Sequence, residues 1–328
     1  MFLAGDIGGT KTDLALFEES GDGLRPVREE IFSSQAYATF DLILAEFSGR
    51  NPLGGLCGAC FGVAGVVVDG RCQTTNLPWV LDERALADGL EVPRVKLLND
   101  LEAAAYGMLF LRPEQVFVLQ PGRAPGVKSN VAVIAAGTGL GEAMLYWDGT
   151  HHHPIASEGG HGDFAPRTPL EIELLRYLTA KFGGHVSYER VLSGPGFHNI
   201  YQFLRDCGHG TESPEMAERL AVGDPNATIA DLGLSGADPL CVATVELFTT
   251  IYGAEAGNLA LRSVATGGVF VGGGIAPKLL PALRQGTFQR AFVEKGRYTE
   301  FMRKIAVSVA LDPRAPLLGA AHYARRLC

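Results

Sequence analysis

The stretch Asp6-Ile7-Gly8-Gly9-Thr10-Lys11-Thr12 decides the fold, because its paired glycines join two apolar segments within residues 2–17. After this turn, Leu14 and Leu16 recur at every second position, as in a β-strand with one buried face. Residues 2–17 are therefore predicted to form a hairpin. A related pattern of strand, glycine turn and strand returns at residues 130–146, so the chain carries this kind of hairpin twice.

The first glycine turn has the chemistry of a phosphate site. Without side chains, its backbone N–H groups can converge on phosphate oxygens, and the Thr10 hydroxyl adds a donor. The Asp6 carboxylate would repel phosphate unless a cation lay between them, which points to Mg²⁺ bound with a nucleotide. A plain hairpin turn is the alternative for this turn taken alone. The two glycine turns together are more specific than either.

The later glycines add two more predicted nucleotide contacts. The GxGxG pattern at residues 137–141 lies inside a hairpin and does not open a βαβ unit, so a dinucleotide fold is disfavoured. Residues 272–274 follow a strand and precede a predicted helix, where glycines would let a base and ribose approach the backbone, or simply form a crowded turn. The predicted nucleotide-binding residues are Asp6, Gly8, Gly9, Thr10, Gly137, Thr138, Gly139, Gly272, Gly273 and Gly274.

A carboxylate stands at a strand-to-helix junction. Asn99 and Asp100 lie where the apolar strand at residues 95–98 gives way to a helix, so Asp100 either caps that helix or projects toward a ligand. An enzyme that transfers a phosphoryl group to an alcohol needs a carboxylate at such a rigid junction to accept the hydroxyl proton. Asn99 could orient the same substrate through hydrogen bonds.

Polar side chains on glycine-rich loops suggest a sugar site. Glu158 and His161 lie three residues apart across two glycines, and a tight loop would turn both toward one diol. Half of a metal site is the competing interpretation, but a hard ion would need more carboxylates and zinc would need more Cys or His. No residue is predicted as a metal ligand. Glu189 precedes another glycine-rich break and either reaches this pocket or is an ordinary exposed helix residue.

Composition limits the class of protein. A length of 328 residues favours two domains, and a net charge of −8 disfavours extended nucleic-acid binding. Asp6 comes too early for a secretory signal, and no apolar run reaches the ~20 residues of a membrane helix. Six irregularly spaced cysteines favour buried thiols over a disulfide framework. We therefore expect a cytoplasmic protein.

The order of predicted elements is that of an α/β protein with two lobes. A helix near 38–48, strands near 57–68 and 94–98 and a helix at 100–111 follow the first hairpin, and the predicted helices after residue 150 lie near 170–182, 196–205, 213–222 and 238–265. We place the smaller α/β domain at residues 1–111, completed by a C-terminal helix at 314–328. The larger, helix-rich α+β domain is placed at 112–313, with the active site expected in the cleft.

Taken in order, the segments DIGGT, LLNDLEAAAYG, AAGTGLGEA, EGGHGDFAP, ERVLSGPG and GGVFVGGGIAPK closely resemble the bacterial glucokinase family. This family lies within the actin-like ATPase superfamily of sugar kinases, which has a ribonuclease H-like fold. The resemblance implies that ATP with Mg²⁺ phosphorylates the 6-hydroxyl of glucose and that members are commonly homodimers. It also implies that the sugar is contacted by Asn99, Asp100, Glu158, His161 and Glu189, with Asp100 as the base.

The sequence differs from its relatives in two respects, and two alternative functions are considered. Lys11 stands where members often have Asn, which leaves its role and the nucleotide preference open. Related ROK kinases carry a cysteine-rich zinc motif after the substrate histidine, whereas no cysteine follows His161 closely here. A kinase for mannose, fructose or glucosamine is the enzymatic alternative. A sugar-sensing protein without catalysis is the other alternative.

Overall fold

The computed structural model describes residues 1–21, 23–51, 53–122 and 128–328. In chain order its strands are β1 (Phe2–Ile7), β2 (Lys11–Ser20), β3 (Gly23–Ser33), β4 (Gly58–Val63), β5 (Val67–Val68), β6 (Arg71–Gln73), β7 (Val80–Asp82), β8 (Val95–Asn99), β9 (Val116–Gln120), β10 (Val131–Ala136), β11 (Leu140–Trp147), β12 (His152–Ile155), β13 (Gly268–Gly272) and β14 (Val307–Ala310). Its helices are α1 (Phe40–Arg50), α2 (Glu83–Leu90), α3 (Asp100–Met108), α4 (Pro169–Phe182), α5 (Gly194–Asp206), α6 (Pro214–Val222), α7 (Pro225–Ser235), α8 (Pro239–Ser263), α9 (Leu280–Leu283), α10 (Thr287–Val293), α11 (Thr299–Met302) and α12 (Ala315–Arg326).

The chain divides into two compact units. The first comprises Met1–Pro113, His151–Ala156 and Asp312–Cys328, and the second comprises Glu114–Thr150 and Ser157–Leu311. These boundaries run close to residues 111 and 313, where the sequence analysis divides the domains. The short segment His151–Ala156, which that analysis assigns to the larger domain, packs with the first unit instead, where β12 lies against α3.

The sheet of the first unit has the strand order β3-β2-β1-β4-β8. β1 and β2 form the predicted antiparallel hairpin, while β1, β4 and β8 run parallel. Ile7 pairs with Val63, which pairs with Asn99, so the carboxyl ends of the three parallel strands lie side by side. The glycine turn after β1 and the Asn99-Asp100 junction after β8 therefore meet at one edge of the sheet.

The C-terminal helix completes this unit. α12 packs on α3, β1 and β4 through small residues, and Ala320, Ala321 and Ala324 are fully buried. It also brings Cys328 beside Cys57, and the two form a disulfide across 271 residues of sequence. The expectation of buried thiols alone is therefore wrong. Spacing could not reveal this pair, because the return of the chain is a tertiary event.

The second unit repeats the hairpin within a sheet of its own. Its strands run in the order β11-β10-β13-β14-β9, with β10 and β11 antiparallel and β10, β13 and β14 parallel. α8, a helix of 25 residues, is buried along most of its length and packs on β10, α5, α7 and α10. The turn after β10 and the glycines that end β13 consequently lie at one edge of this second sheet.

The predicted helices near 170–182, 196–205, 213–222 and 238–265 are confirmed as α4, α5, α6 and α8. The sequence analysis does not predict α7, which buries Ile229 and packs Leu232 and Leu234, partly buried, against the core. The expectation of a helix directly after Gly274 is wrong, because turns precede α9, which begins at Leu280.

Candidate active site

A buried serine, Ser34, donates hydrogen bonds to two carbonyl groups of the first glycine turn. Ser34 donates from Oγ to the Gly8 carbonyl at 2.7 Å and from its backbone N–H to the Thr10 carbonyl at 2.9 Å. Within the described ranges, no protein acceptor bonds the backbone N–H groups of Gly9 and Thr10. Gly9 also lies so close to Asn76 that an added Cβ would come within 2.8 Å of the Asn76 Cβ. The carbonyls of Gly8 and Thr10 are thus fixed by Ser34, while the N–H groups of Gly9 and Thr10 are available to bind an anion.

Asp6 and Asp100 form an acidic pair beside this turn. Asp6 is half-buried near the end of β1, and Asp100 is exposed at the start of α3. Burial, followed by the negative charge of Asp100, raises the pKa of Asp6 to about 6. A cation at this edge would stabilise both carboxylates. Lys11, exposed just after the turn, is the nearby positive charge that opposes the shift.

Asn99 is the N-cap residue of α3. The Asn99 Oδ1 accepts from the Leu101 N–H at 2.9 Å, and Glu102 reaches back to the Asn99 N–H, which completes a capping box. The Asn99 Nδ2 donates to the Gly65 carbonyl at 3.1 Å, which uses one of its two amide hydrogens. The Asp100 Oδ1 also accepts from the Leu101 N–H, at 2.8 Å, so a role of Asp100 at the helix start stays an alternative to a catalytic role.

In the second unit, two glycine segments meet. Ala135 pairs with Gly272 across β10 and β13, and the Ile275 N–H donates to the Ala136 carbonyl at 3.2 Å. Gly273 has φ +78°, and a Cβ there would overlap the Ala136 carbonyl oxygen, so only glycine fits this position. The predicted adenosine-binding turn thus touches the last residue before the predicted phosphate turn.

The predicted phosphate turn of this unit also exposes amides. Gly137 donates to the Gly139 carbonyl and accepts from the Gly194 N–H, both at 2.8 Å. In the described part of the chain the N–H groups of Thr138 and Gly139 bond no protein acceptor. Two successive amides are therefore available in each of the two hairpin turns.

The structure brings Glu158, His161 and Glu189 together. His161 Nε2 lies 3.9 Å from the Glu158 carboxylate, and His161 Nδ1 lies 3.9 Å from the Glu189 carboxylate. Glu158 and His161 are exposed, whereas Glu189 is half-buried. The Oε2 atom of Glu189 accepts from the Leu140 N–H at 3.0 Å, so this carboxylate contacts the glycine hairpin as well.

Sequence reasoning missed the residues that support these groups. Ser34 and Asn76 hold the first turn from distant parts of the chain, and no local motif marks them. Two buried glutamates, Glu142 on β11 and Glu255 on α8, are also absent from the sequence predictions, although an acidic residue inside the apolar pattern of each segment was a visible signal.

A comparison with solved structures defines the class of protein. A glucokinase from an Antarctic psychrotroph superimposes with a TM-score of 0.88 at 29% identity, over 99% of this chain and 98% of that one. A ROK family glucokinase from Streptomyces griseus, solved with glucose and AMPPNP, has the same fold with a TM-score of 0.64 at 23% identity, over 99% of each chain. The fold is that of the actin-like ATPase sugar kinases.

The sequence comparisons narrow the class further. The family model described as Glucokinase matches residues 3–327. A glucokinase of Trichormus variabilis is 41% identical over 100% of this chain and 99% of its own length. The chain belongs to the glucokinase family. Among the described residues, no helix has the length and apolar character needed to cross a membrane.

Proposed function

We propose that this chain transfers the γ-phosphoryl group of ATP to the 6-hydroxyl of glucose, giving glucose 6-phosphate and ADP. The observation that carries the proposal is the acidic junction beside the first glycine turn. There the exposed Asp100 carboxylate stands next to a turn with available amides, at the end of parallel strands. The full-length match to the glucokinase family supports glucose as the acceptor.

Asp100 is proposed as the general base. A sugar hydroxyl is a weak nucleophile, and its proton must pass to an acceptor as the oxygen bonds to phosphorus. Asn99 and Glu102 form the capping box of α3, and Asp100 bonds the same helix start through one carboxylate oxygen, Oδ1. The carboxylate would take the hydroxyl proton while the β–γ bridging oxygen leaves with ADP.

Four further residues are proposed to hold the sugar: Asn99, Glu158, His161 and Glu189. The last three already form a polar cluster in the second unit, with contacts of 3.9 Å. Glu189 also bonds the glycine hairpin, which supports a link between sugar binding and nucleotide binding. Two carboxylates and an imidazole placed together offer several hydrogen-bond partners to a polyhydroxylated ligand.

The nucleotide is proposed to lie on the glycine segments, with phosphates at Gly8–Thr10 and Gly137–Gly139 and adenosine at Gly272–Gly274. The available amides of Gly9, Thr10, Thr138 and Gly139 support this assignment. Asp6 fits a role in holding Mg²⁺ that arrives with ATP, since its raised pKa reflects a buried carboxyl group beside Asp100. The ion would neutralise phosphate charge. In the described residues no group of three or more acidic, His or Cys side chains is arranged to hold a metal.

A coupled assay of ADP release tests this function. Glucose with ATP should give the highest kcat/KM among glucose, mannose, fructose and glucosamine, each tested with ATP, ADP and polyphosphate. A higher kcat/KM for another hexose would favour the alternative kinase. Absence of turnover with every pair, together with saturable glucose binding, would favour a sugar-sensing protein.

Two broader features are part of the same proposal. We infer that the protein works in the cytoplasm, where its substrates are found, and that it forms a homodimer like many members of the family it resembles. Sedimentation equilibrium over a range of concentrations tests the homodimer. Thiol labelling of protein quenched inside cells tests whether Cys57 and Cys328 are reduced there.

A further inference from the structure

Glu142 is an acidic residue sealed inside the second unit. It is the third residue of β11, its exposed fraction is 0%, and within the described residues no N–H or hydroxyl group donates to either carboxyl oxygen. A fully buried carboxylate without hydrogen bonds is costly, so such a group either keeps its proton or has a function.

The polar side chains near Glu142 bond the carboxylate of Glu255 instead. Glu255 of α8 is also fully buried, and it pairs with Arg262 and accepts from the Asn258 Nδ2 at 2.8 Å. The Arg262 Nη1 lies 4.0 Å from the Glu142 Oε2, beyond hydrogen-bond reach. The Arg262 guanidinium therefore lies near two buried carboxyl groups, and it forms its ion pair with Glu255.

The remaining groups near the pair do not supply a second cation to Glu142. Tyr252 and Tyr188 lie near the two glutamates, and burial raises the pKa of each phenol, so both stay neutral. Burial and then the charge of Glu255 raise the pKa of Glu142 to about 8. Below that pH the carboxyl group is neutral, which is compatible with its burial.

Glu142 lies directly under the loop that carries the proposed sugar residues. A Cβ at Gly159 would overlap the Glu142 Oε2 atom, so the loop backbone rests on this carboxyl group. The Ser157 Oγ accepts from the Gly159 N–H at 2.9 Å, and the His161 N–H donates to the Glu158 carbonyl at 3.0 Å. Glu158 and His161 thus stand on either side of the point of contact.

We propose that Glu142 is a positioning residue. Its neutral carboxyl group supports the loop that carries Glu158 and His161 in the position that binds glucose, and its ionisation moves this loop out of that position. Once charged, the carboxylate is repelled by Glu255 and drawn toward Arg262 or toward water. Arg262 is 52% exposed, and its Nη1 lies 4.0 Å from the same Oε2 atom that faces Gly159, so either movement shifts the atom on which the loop rests. The inference rests on the proposed function, because it acts on the glucose site.

The test is the glucose KM as a function of pH for the wild type and Glu142→Gln. If only the neutral form binds glucose, an apparent pKa near 8 makes the wild-type KM rise about tenfold between about pH 7 and about pH 9. Glu142→Gln, a neutral isostere, should keep a nearly constant KM over this range. The ATP KM should change little in either protein. A rise that persists in Glu142→Gln would overturn the proposal.

Lys295 is the necessary control. Burial and then the charge of Arg167 lower the pKa of Lys295 to about 8, and this amine donates to the Asn258 Oδ1 at 2.6 Å, on the Glu255 side of the cluster. Arginine stays charged throughout this range, so Lys295→Arg should retain the alkaline rise. Loss of the rise in Lys295→Arg would assign it to Lys295 and overturn the role of Glu142.

A measurement on the wild type guards against a variant that fails to fold. Because the glucose-binding form carries the proton, glucose binding at about pH 8.5 should take up most of one proton per site. Calorimetry in two buffers of different ionisation enthalpy measures this uptake, and no uptake would overturn the proposal. Absence of glucose phosphorylation at neutral pH would instead reject the proposed function.

Discussion

The two glycine hairpins share a backbone arrangement and differ in their charges. In each, a strand, a short turn with two available amides and an antiparallel strand follow in order. Asp6 and Lys11 flank the first turn, whereas Ala136 and Leu140 flank the second. The difference teaches that the two turns offer the same backbone amides, while only the first has charged side chains, Asp6 and Lys11, directly beside its turn.

A buried acid occupies the third position of the second strand in both hairpins. Asp13 on β2 faces the cations Lys11 and Arg314, and burial still raises its pKa. Glu142 on β11 faces Arg262 alone, and its pKa is raised to about 8. Deeper burial and then the charge of Glu255 raise the pKa of the acid in the second hairpin, whereas Lys11 and Arg314 oppose the shift at Asp13.

The largest expected effect concerns the first unit. Asp100→Asn should lower kcat by roughly 10²–10⁴-fold, the usual contribution of a general base, because an amide cannot accept the hydroxyl proton. Steady-state kinetics measure this loss. Thermal melting should be almost unchanged, since Asn99 supplies the cap of α3. Retention of more than about a tenth of kcat would contradict the assignment.

The sugar residues of the second unit should show a smaller effect on binding. Single alanine variants of Glu158, His161 and Glu189 should each raise the glucose KM about tenfold or more, because each removes a proposed hydrogen-bond partner of a sugar hydroxyl. Glu189→Ala should also raise the ATP KM, since its carboxylate bonds the Leu140 N–H. Normal glucose KM values in all three variants would show that the sugar site lies elsewhere.

Two glycine variants of the second turn separate nucleotide binding from packing. Gly137 has open space around it, so Gly137→Ala should fold normally and raise the ATP KM by about tenfold, if phosphate approaches the backbone there. Gly139→Ala is the matched variant, because its Cβ would overlap the Glu189 carboxylate. It should raise the KM of both substrates and lower the melting temperature. An unchanged ATP KM in Gly137→Ala would remove the second turn from the nucleotide site.

The smallest effect is on stability and tests the charge of the first hairpin. The pKa of Asp6 is raised from 3.8 to about 6, so the folded state binds this proton more tightly than the unfolded state. The contribution of Asp6 to stability therefore decreases as pH rises through this interval. At about pH 7 without Mg²⁺, Asp6→Asn should be more stable by roughly 1–3 kcal/mol, and near pH 4 the difference should largely vanish.

Denaturant unfolding at the two pH values measures this difference, with Asp13→Asn as the matched variant of the same hairpin. Addition of Mg²⁺ with ATP should stabilise the wild type more than Asp6→Asn, because ligand binding to the native state adds to its stability. Equal stabilisation of both proteins would argue against a cation at Asp6.

Much of the fold and of the candidate site is predictable from local sequence. The alternation at Leu14 and Leu16 predicts a hairpin that the structure confirms, and apolar periodicity predicts α4, α5, α6 and α8. Asn99, Asp100, Glu158 and His161 stand out because loops and strand ends are where binding and catalytic side chains are concentrated. Their chemical roles stay predictions that the experiments above address.

The sequence by itself determined the two hairpins, the kinds of element that follow them and the family to which the chain belongs. Only the tertiary structure decided that Cys328 bonds Cys57, that Ser34 holds the turn at Gly8, and that Glu142 lies beneath Gly159. The physical reason is the separation along the chain of the residues that interact. Periodicity and turn chemistry report the conformation of neighbouring residues, whereas burial and charge depend on distant segments that meet only after the chain has packed.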